Sequence, residues 1–233
     1  MLSVKSILQD TLHLFYPHTC VGCGGDLPGS KDLLCLKCIN DLPYTHEAAY
    51  PLNHTEKIFA GRLPVAAACS SFYFTKGTLM QHLIHQLKYK GNKEIGFYLG
   101  EIMGAALVES NRFNQIDVLV PLPLYPDKER KRGYNQAAVL CNGISSVMNV
   151  PVETVNVIRR RFTETQTRKH RTERWENVDG SFVVQNESAA AGKHFLLVDD
   201  VVTTGATLES CGQAILKIPG ARLSIAALAF ASK

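Results

Sequence analysis

The stretch that decides the fold is residues 194–211, HFLLVDDVVTTGATLESC. It opens with four apolar residues, 195–198, a run too short for a buried helix and typical of a strand covered on both faces. Two carboxylates, Asp199 and Asp200, follow where that strand is predicted to end. Small residues come next, and Gly205 among them can adopt a positive φ, which predicts a tight turn into a helix. The backbone N–H groups of such a turn, helped by the helix dipole, favour a bound anion such as phosphate.

Residues 198–207, VDDVVTTGAT, resemble the phosphoribosyl pyrophosphate (PRPP) binding motif of the type I phosphoribosyltransferases. The motif requires a strand, two acids and a Thr/Gly turn in fixed order; the alternative is an ordinary surface turn after a buried strand. The resemblance implies that the acids bind the ribose 2- and 3-hydroxyls, that the turn binds the 5-phosphate, and that Mg²⁺ accompanies PRPP. The implied PRPP-binding residues are Asp199, Asp200, Thr203, Thr204, Gly205, Ala206 and Thr207.

Length and composition predict one α/β core with a small appended module, because the chain has 233 residues, of which 45% are hydrophobic. The net charge of +4 is unevenly distributed. Residues 159–174 hold seven Lys or Arg against two Glu, and residues 127–132 hold four against two acids. Anionic ligands are expected at these two segments.

The first fifteen residues have apolar positions at helical spacing, interrupted by polar ones, and Pro17 ends the pattern. They lack the unbroken apolar centre of a secretory signal, and no uncharged run is long enough to span a bilayer. We therefore expect a cytoplasmic protein without a membrane span. The N-terminal helix is expected to pack on the neighbouring module, with an interfacial membrane helix as the alternative.

Four cysteines form two Cys-x2-Cys pairs, Cys20 with Cys23 and Cys35 with Cys38. This spacing lets four thiolates surround one tetrahedral Zn²⁺. Disulfides are disfavoured without an export signal, and a redox pair is disfavoured because there are two pairs outside a βαβ unit. Four cysteine ligands leave no open position, so we predict a structural zinc that serves as a folding staple or partner platform.

Strand and helix patterns along the rest of the chain predict a parallel sheet flanked by helices. The predicted domains are a helix and zinc module at 1–43, a linker at 44–64 and a phosphoribosyltransferase-like domain at 65–233. Lys88 and Lys90 end one helix, where they either reach a phosphate or complement the helix dipole. The predicted strands are 65–74, 116–120, 155–162, 181–184 and 222–230, and the predicted helices are 79–90, 94–110 and 136–148.

Two charged segments have open interpretations. Residues 125–136 are expected to form a basic loop that either is solvated or closes over a pyrophosphate. Residues 163–177 contain the single Trp175; they either bind nucleic acid or pack Trp175 on the sheet, and packing is preferred. The basic side chains of the first segment are Lys128, Arg130, Lys131 and Arg132.

The order of motifs resembles the ComF/GntX family of phosphoribosyltransferase-like proteins over essentially the whole chain. The motifs are the four-cysteine module, LKYKGN (87–92), VPLPLYPDKERKRGYNQA (120–137), TQTRKHRTERWENVDGSF (165–182) and the PRPP motif. This resemblance implies a type I phosphoribosyltransferase fold, a zinc finger and a role in DNA uptake during natural transformation. It also implies a pyrophosphate site that includes Val120, Pro121, Leu122 and Pro123.

Three functions fit these patterns. The favoured one is an enzyme that transfers phosphoribose from PRPP to an unidentified acceptor and releases pyrophosphate. Purine salvage enzymes of this fold have an acid where Thr203 stands, and a Thr hydroxyl cannot act as a general base at neutral pH, so no catalytic residue is predicted. The second is a PRPP-sensing or single-stranded-DNA-binding module that engages DNA-uptake proteins. The third, disfavoured because two adjacent acids repel each other, is a purely structural adaptor.

Overall fold

The computed structural model describes residues 18–27, 32–160 and 181–231. Within them, four parallel strands form the main sheet in the order β1-β6-β5-β2, which confirms the predicted α/β fold. Because the strands are parallel, the segments that follow β1, β2 and β5 leave the sheet at the same edge. The strands are β1 (Ala68–Phe74), β2 (Val118–Pro121), β5 (His194–Val202) and β6 (Arg222–Ala231).

Helices flank this sheet, and asparagine side chains cap several of their N-termini. Asn53, Asn92, Asn135 and Asn186 each accept a hydrogen bond from a backbone N–H in the first turn, which satisfies a donor that the helix itself leaves unpaired. The helices are α1 (Leu36–Asn40), α2 (His54–Phe59), α3 (Leu79–Tyr89), α4 (Lys93–Glu109), α5 (Pro126–Arg132), α6 (Gln136–Met148), α7 (Glu187–Ala190) and α8 (Ala206–Leu216), with a 3-10 helix at Glu47–Ala49.

The prediction that residues 181–184 belong to the main sheet is wrong. β3 (Val157–Arg159) and β4 (Phe182–Val184) pair antiparallel with each other in a separate ribbon. The ribbon packs on one face of the main sheet, with Phe182 buried in the same core as Leu197. An apolar run identifies extended residues but not their partner strand, so neither the partner nor the register of residues 181–184 could be predicted from the sequence.

Residues 125–136 are not a loop throughout, because α5 occupies their centre. Pro126 lies in the first turn of α5, and Gly133 at its C-terminus has φ 85°. Acidic residues occupy the first turn and basic residues the last, which complements the helix dipole. The local sequence therefore contained the signals for a helix that its high charge concealed.

The cysteine module shares a hydrophobic core with the main domain. Cys20 and Cys38 are buried in the same cluster as Phe72 and Leu83, whereas the opposite face of the sheet has a second cluster around Leu197. Residues 44–64, predicted as a linker between the cysteine module and the main domain, carry the 3-10 helix and α2 and pack on β1. The domain boundaries 1–43, 44–64 and 65–233 remain predictions.

No described helix has the length and apolar character needed to cross a membrane.

Helices α4 and α6 pack backbone to backbone at glycines. A Cβ atom on Gly100 would collide with the carbonyl oxygen of Leu140, and one on Gly143 would collide with that of Phe97. Their missing side chains let the helices approach closely, which fixes α6 and the site residues that precede it.

Candidate functional site

The acidic pair lies on a part of β5 that extends beyond β2. Pairing of β5 with β2 ends at Val198, whereas its pairing with β6 continues to Val202. Asp199 and Asp200 therefore lie within the strand, a few residues before its end, because β6 supports it further than expected. On the side of β2, the backbone of these two acids has no neighbouring strand among the described residues.

The corner between β5 and α8 is open to solvent and rich in N–H groups. Gly205 has φ 72° and forms the N-cap of α8 without a side-chain hydrogen bond. The first N–H groups of a helix have no acceptor within it, so those of Ala206, Thr207 and Leu208 are available to a ligand. Thr203 is exposed, and a cavity of about 50 Å³ lies in the corner. The arrangement suits a small anion such as a phosphate group.

Helix α2 supports this corner from behind. A Cβ atom on Gly205 would lie 2.7 Å from Ile58 Cγ2, so the glycine satisfies both the turn and the close approach of α2. Arg62 Nη1 donates to the carbonyl oxygen of Thr204 at 3.0 Å, and its other terminal nitrogen forms an ion pair with Glu209. The sequence did not identify Arg62, because Thr204 and Glu209 are more than 140 residues away from it along the chain.

The two acids have different surroundings. Asp200 Oδ1 lies 2.7 Å from Lys88 Nζ, and both side chains are mostly buried. Asp199 Oδ1 accepts a hydrogen bond from the N–H of Asp200 at 2.8 Å. Burial and the neighbouring Asp200 carboxylate raise the pKa of Asp199 to about 7, although that N–H and the charges of Lys88 and Arg159 oppose the rise. Asp199 therefore titrates near neutral pH, while Asp200 is held in an ion pair.

A basic cavity of about 430 Å³ lies beside the acidic pair. The C-terminal part of α3 contributes Lys88 to it, and α5 contributes Lys128, Lys131 and Arg132. Lys88 thus belongs to both this cavity and the ion pair with Asp200, which favours the phosphate interpretation of this residue over the helix dipole alone. Arg130 does not line the cavity and lies 3.3 Å from Asp127 instead. The basic cavity is suited to a polyanion.

The predicted pyrophosphate segment, 120–123, offers a ligand few backbone N–H donors. Pro121 and Pro123 have no N–H, and the N–H of Leu122 donates to Val198 O at 2.8 Å. Asn135 Nδ2 holds the segment by donating to Leu122 O at 3.0 Å. Charge neutralisation at this edge must therefore come from side chains, such as those of the basic cavity.

Arg159 at the end of β3 is a further cation near the acids that sequence analysis did not single out. Its guanidinium lies 3.8 Å from the centre of the Tyr125 ring and 5.0 Å from that of Phe182, and its charge lowers the pKa of Asp199. In the sequence it is only the first residue of a basic run. The predictions for 163–177, including the packing of Trp175, and for the N-terminal helix lie outside the described residues.

The four predicted cysteine ligands converge. Their sulfur atoms all lie within 4.8 Å of one another, and the Sγ atoms of Cys23 and Cys35 are 3.7 Å apart, too far for a disulfide. The N–H of Cys35 donates to Cys20 Sγ at 3.3 Å. Burial alone would raise the pKa of Cys20, but this and other backbone N–H groups lower it to about 6, which favours a thiolate. The cluster therefore fits a metal ion held by four cysteines.

This module contacts α3, the helix that carries Lys88. His82 Nε2 lies 2.9 Å from the carbonyl oxygen of Val21, and a Cβ atom on Gly22 would lie 2.8 Å from Leu79 Cδ1. The cysteine module thus supports one side of the helix whose other end reaches the acidic pair.

A parallel sheet with an acidic pair and an anion-binding corner at its carboxyl edge defines a protein of the phosphoribosyltransferase fold class. Residues 135–233 match the phosphoribosyl transferase domain family. The chain is 31% identical to the DNA utilization protein YhgH of Escherichia coli K12 over 61% of this chain and 63% of that protein, which is less than two thirds of it. It is 25% identical to competence protein F of Haemophilus influenzae over 88% of this chain and 93% of that protein.

A solved structure, the purine phosphoribosyltransferase of Pyrococcus horikoshii Ot3, matches at 18% identity with a TM-score of 0.39, over 57% of this chain and 74% of that one. Residues 135–233 thus match a phosphoribosyl transferase domain, and the chain as a whole is similar to competence protein F and carries a four-cysteine cluster.

Proposed function

We propose that the chain binds PRPP with Mg²⁺ and transfers its phosphoribose to an acceptor with release of pyrophosphate. The observation that carries this proposal is the continuity of the site. The open corner of α8, the acids on β5 and the basic cavity follow one another along a single edge of the sheet. PRPP carries a phosphate, a diol and a pyrophosphate in the same order.

Each group of PRPP has a matching set of residues in this proposal. The N–H groups of residues 206–208 bind the 5-phosphate, and Asp199 and Asp200 accept hydrogen bonds from the ribose hydroxyls. Lys128, Lys131 and Arg132 face the pyrophosphate. Carboxylate, hydroxyl and phosphate oxygens are also the donors that Mg²⁺ prefers, and bound Mg²⁺ supplies further neutralisation of the pyrophosphate.

Lys88 has a distinct role in this arrangement. Its ammonium group pairs with Asp200 Oδ1, and it is released toward the basic cavity when the cation takes that oxygen. Because Lys88 also lines the basic cavity, the released ammonium group lies beside the pyrophosphate, where it stabilises the negative charge that grows on the leaving group.

The biological role is proposed from the relatives, whose names refer to competence and DNA utilization. We propose that this chain serves DNA uptake in the cytoplasm and that its cysteine cluster holds a structural Zn²⁺. A non-catalytic module that senses PRPP or binds single-stranded DNA and DNA-uptake proteins is the second candidate. The exposed Tyr89 ring, with Arg132 5.6 Å from its centre, favours this candidate because aromatic and cationic groups together bind single strands.

Thermal unfolding with PRPP and Mg²⁺ tests the proposed ligand. Saturation at 100 times Kd should stabilise the protein by about 2.7 kcal/mol. Asp200→Asn should reduce the stabilisation, and Glu187→Gln, which changes an exposed carboxylate on α7, should not. If PRPP does not stabilise the wild-type protein, the proposal is wrong.

Pyrophosphate release and DNA binding separate the two candidates. An enzyme should release pyrophosphate from PRPP when an acceptor is supplied. A DNA-binding module should instead bind single strands with an affinity that falls steeply with salt, that Arg168→Ala and Arg171→Ala weaken, and that Asp200→Ala leaves unchanged.

A further inference from the structure

The side chain of Glu47, in the 3-10 helix that precedes α2, is a buried carboxylate. It is 4% exposed and does not line the corner between β5 and α8. We propose that Glu47 is a positioning residue for that corner: it fixes the start of α2, and α2 fixes the turn at Thr204 and Gly205. This inference rests on the proposed binding of the 5-phosphate at the corner.

The carboxylate of Glu47 joins the first turn of α2 to β1. Its Oε1 accepts a hydrogen bond from the N–H of His54 at 3.1 Å, and its Oε2 accepts one from Thr55 Oγ1 at 2.6 Å. The same Oε2 accepts a hydrogen bond from the N–H of Ser70, in β1, at 2.9 Å. His54 and Thr55 are the first two residues of α2. One side chain therefore holds the helix against the strand.

The donors of this link have no access to water. Thr55 and Ser70 are fully buried. Thr55 has a single hydroxyl proton and donates it to Glu47, so in its 2.7 Å contact with Ser70 Oγ the Ser70 hydroxyl is the donor. A buried donor that loses its acceptor is costly. The loss of an acceptor oxygen at Glu47 should therefore displace the start of α2.

The other end of α2 contacts the corner. A Cβ atom on Gly205 would lie 2.7 Å from Ile58 Cγ2 and 2.9 Å from Phe59 Cε1, so the helix packs directly on the turn. Arg62 donates to the carbonyl oxygens of Ile58 at 3.2 Å and of Thr204 at 3.0 Å, which joins the end of α2 to the turn. Helix α2 has six residues and is about 9 Å long, short enough to move as one body. A displacement at its start therefore reaches the turn.

Two substitutions break the link, one from each side. Glu47→Gln keeps the shape of the side chain but places an NH₂ group against a donor of α2 or β1. Thr55→Val keeps the shape of the partner and removes the hydroxyl that donates to Glu47. The control is Leu107→Ala, which removes a buried side chain of α4 from the hydrophobic cluster on the opposite face of the sheet from Phe59. All three variants should unfold at a lower temperature than the wild-type protein.

Calorimetric titration of the full chain with ribose 5-phosphate and, separately, with pyrophosphate tests the proposal. Both titrations contain Mg²⁺ and are made at a temperature at which thermal unfolding shows each variant to be folded. Glu47→Gln and Thr55→Val should each raise the Kd for ribose 5-phosphate at least about fivefold, the effect of one lost hydrogen bond, and change the Kd for pyrophosphate less than about twofold. Leu107→Ala should change neither. A loss for one ligand alone distinguishes positioning from a general loss of stability.

The other results separate this inference from the proposed function. If the wild-type protein binds ribose 5-phosphate and both link variants bind it equally well, the inference is wrong and the proposed function is unaffected. Equal loss of both ligands, or the same loss of ribose 5-phosphate in Leu107→Ala, would reduce Glu47 to a structural role and overturn the inference. If Glu47→Gln does not fold, the Thr55→Val variant decides. If the wild-type protein binds neither ribose 5-phosphate nor PRPP, the proposed function is wrong as well.

Discussion

Protonation of Asp199 should control PRPP affinity near neutral pH. Burial and the Asp200 carboxylate raise the pKa of Asp199 to about 7, whereas the ribose hydroxyls and the cation favour its ionised form. With that pKa, the ionised fraction grows from about 0.1 at pH 6 to about 0.9 at pH 8. PRPP should therefore bind about tenfold more tightly at pH 8 than at pH 6 through this group alone.

Calorimetric titration with PRPP and Mg²⁺ at pH 6, 7 and 8 measures the effect. The phosphates of PRPP titrate near pH 6 and change the affinity of any variant, so a matched control is needed. Asp199→Asn keeps an acceptor oxygen and cannot ionise. Its affinity should rise about tenfold less than that of the wild-type protein between pH 6 and pH 8. Equal slopes, or a wild-type affinity that falls with pH, would refute the reasoning.

The same pKa fixes the sign of a stability effect in the ligand-free protein. In the unfolded chain Asp199 ionises near its ordinary pKa of 3.8. Between about pH 4 and pH 7 the folded protein keeps a proton that the unfolded chain has released, so the free energy of unfolding falls as pH rises through this window. Asp199→Asn should remove that part of the slope in urea denaturation, and an unchanged slope would contradict the raised pKa.

Three further predictions concern packing, the corner and the cysteine module. Gly143→Ala should destabilise the protein by about 1–3 kcal/mol in urea denaturation, because its Cβ collides with the carbonyl oxygen of Phe97; Asn142→Ala on the exposed side of α6 should not. Arg62→Ala should weaken PRPP binding about three- to tenfold in calorimetry, because Thr204 O loses its donor; Lys57→Ala on α2 is the control, and an equal effect there would contradict the role. Cys38→Ser should abolish bound zinc in elemental analysis and lower the free energy of unfolding by more than about 2 kcal/mol, and a zinc content of one per chain in the variant would exclude this ligand.

The features that the sequence predicted well depend on neighbours along the chain. The helices at 79–90, 94–110 and 136–148 follow from apolar periodicity, and Asn92 and Asn135 mark two of their starts by direct capping. The strand that leads into the PRPP motif is an apolar run followed by two acidic residues. Capping and apolar periodicity involve only residues that are close together in the chain, so the helices and strands they predict are present in the folded protein.

The features that were missed depend on residues distant in sequence. The partner of Asp200 is Lys88, 112 positions earlier, and Arg62 contacts Thr204 from a segment that has no motif of its own. In the sequence Arg159 is one of several consecutive basic residues, and only the ribbon of β3 and β4 brings it near Asp199. Helix α5 was missed for a different reason, since its capping signals were present but its high charge suggested a loop.

The placement of the cysteine module against α3 has a consequence for how this chain can be divided. A truncated protein that began after Asp41 would expose the apolar surface around Phe72 and Leu83, and it would remove the contact of Val21 with His82. Helix α3, which presents Lys88 and His85, would lose the packing contacts that support it. The cysteine module and the proposed PRPP site should therefore fold and be expressed as one unit. A reagent that oxidises the thiols of the cysteine module should also abolish PRPP binding, although the PRPP site itself contains no thiol.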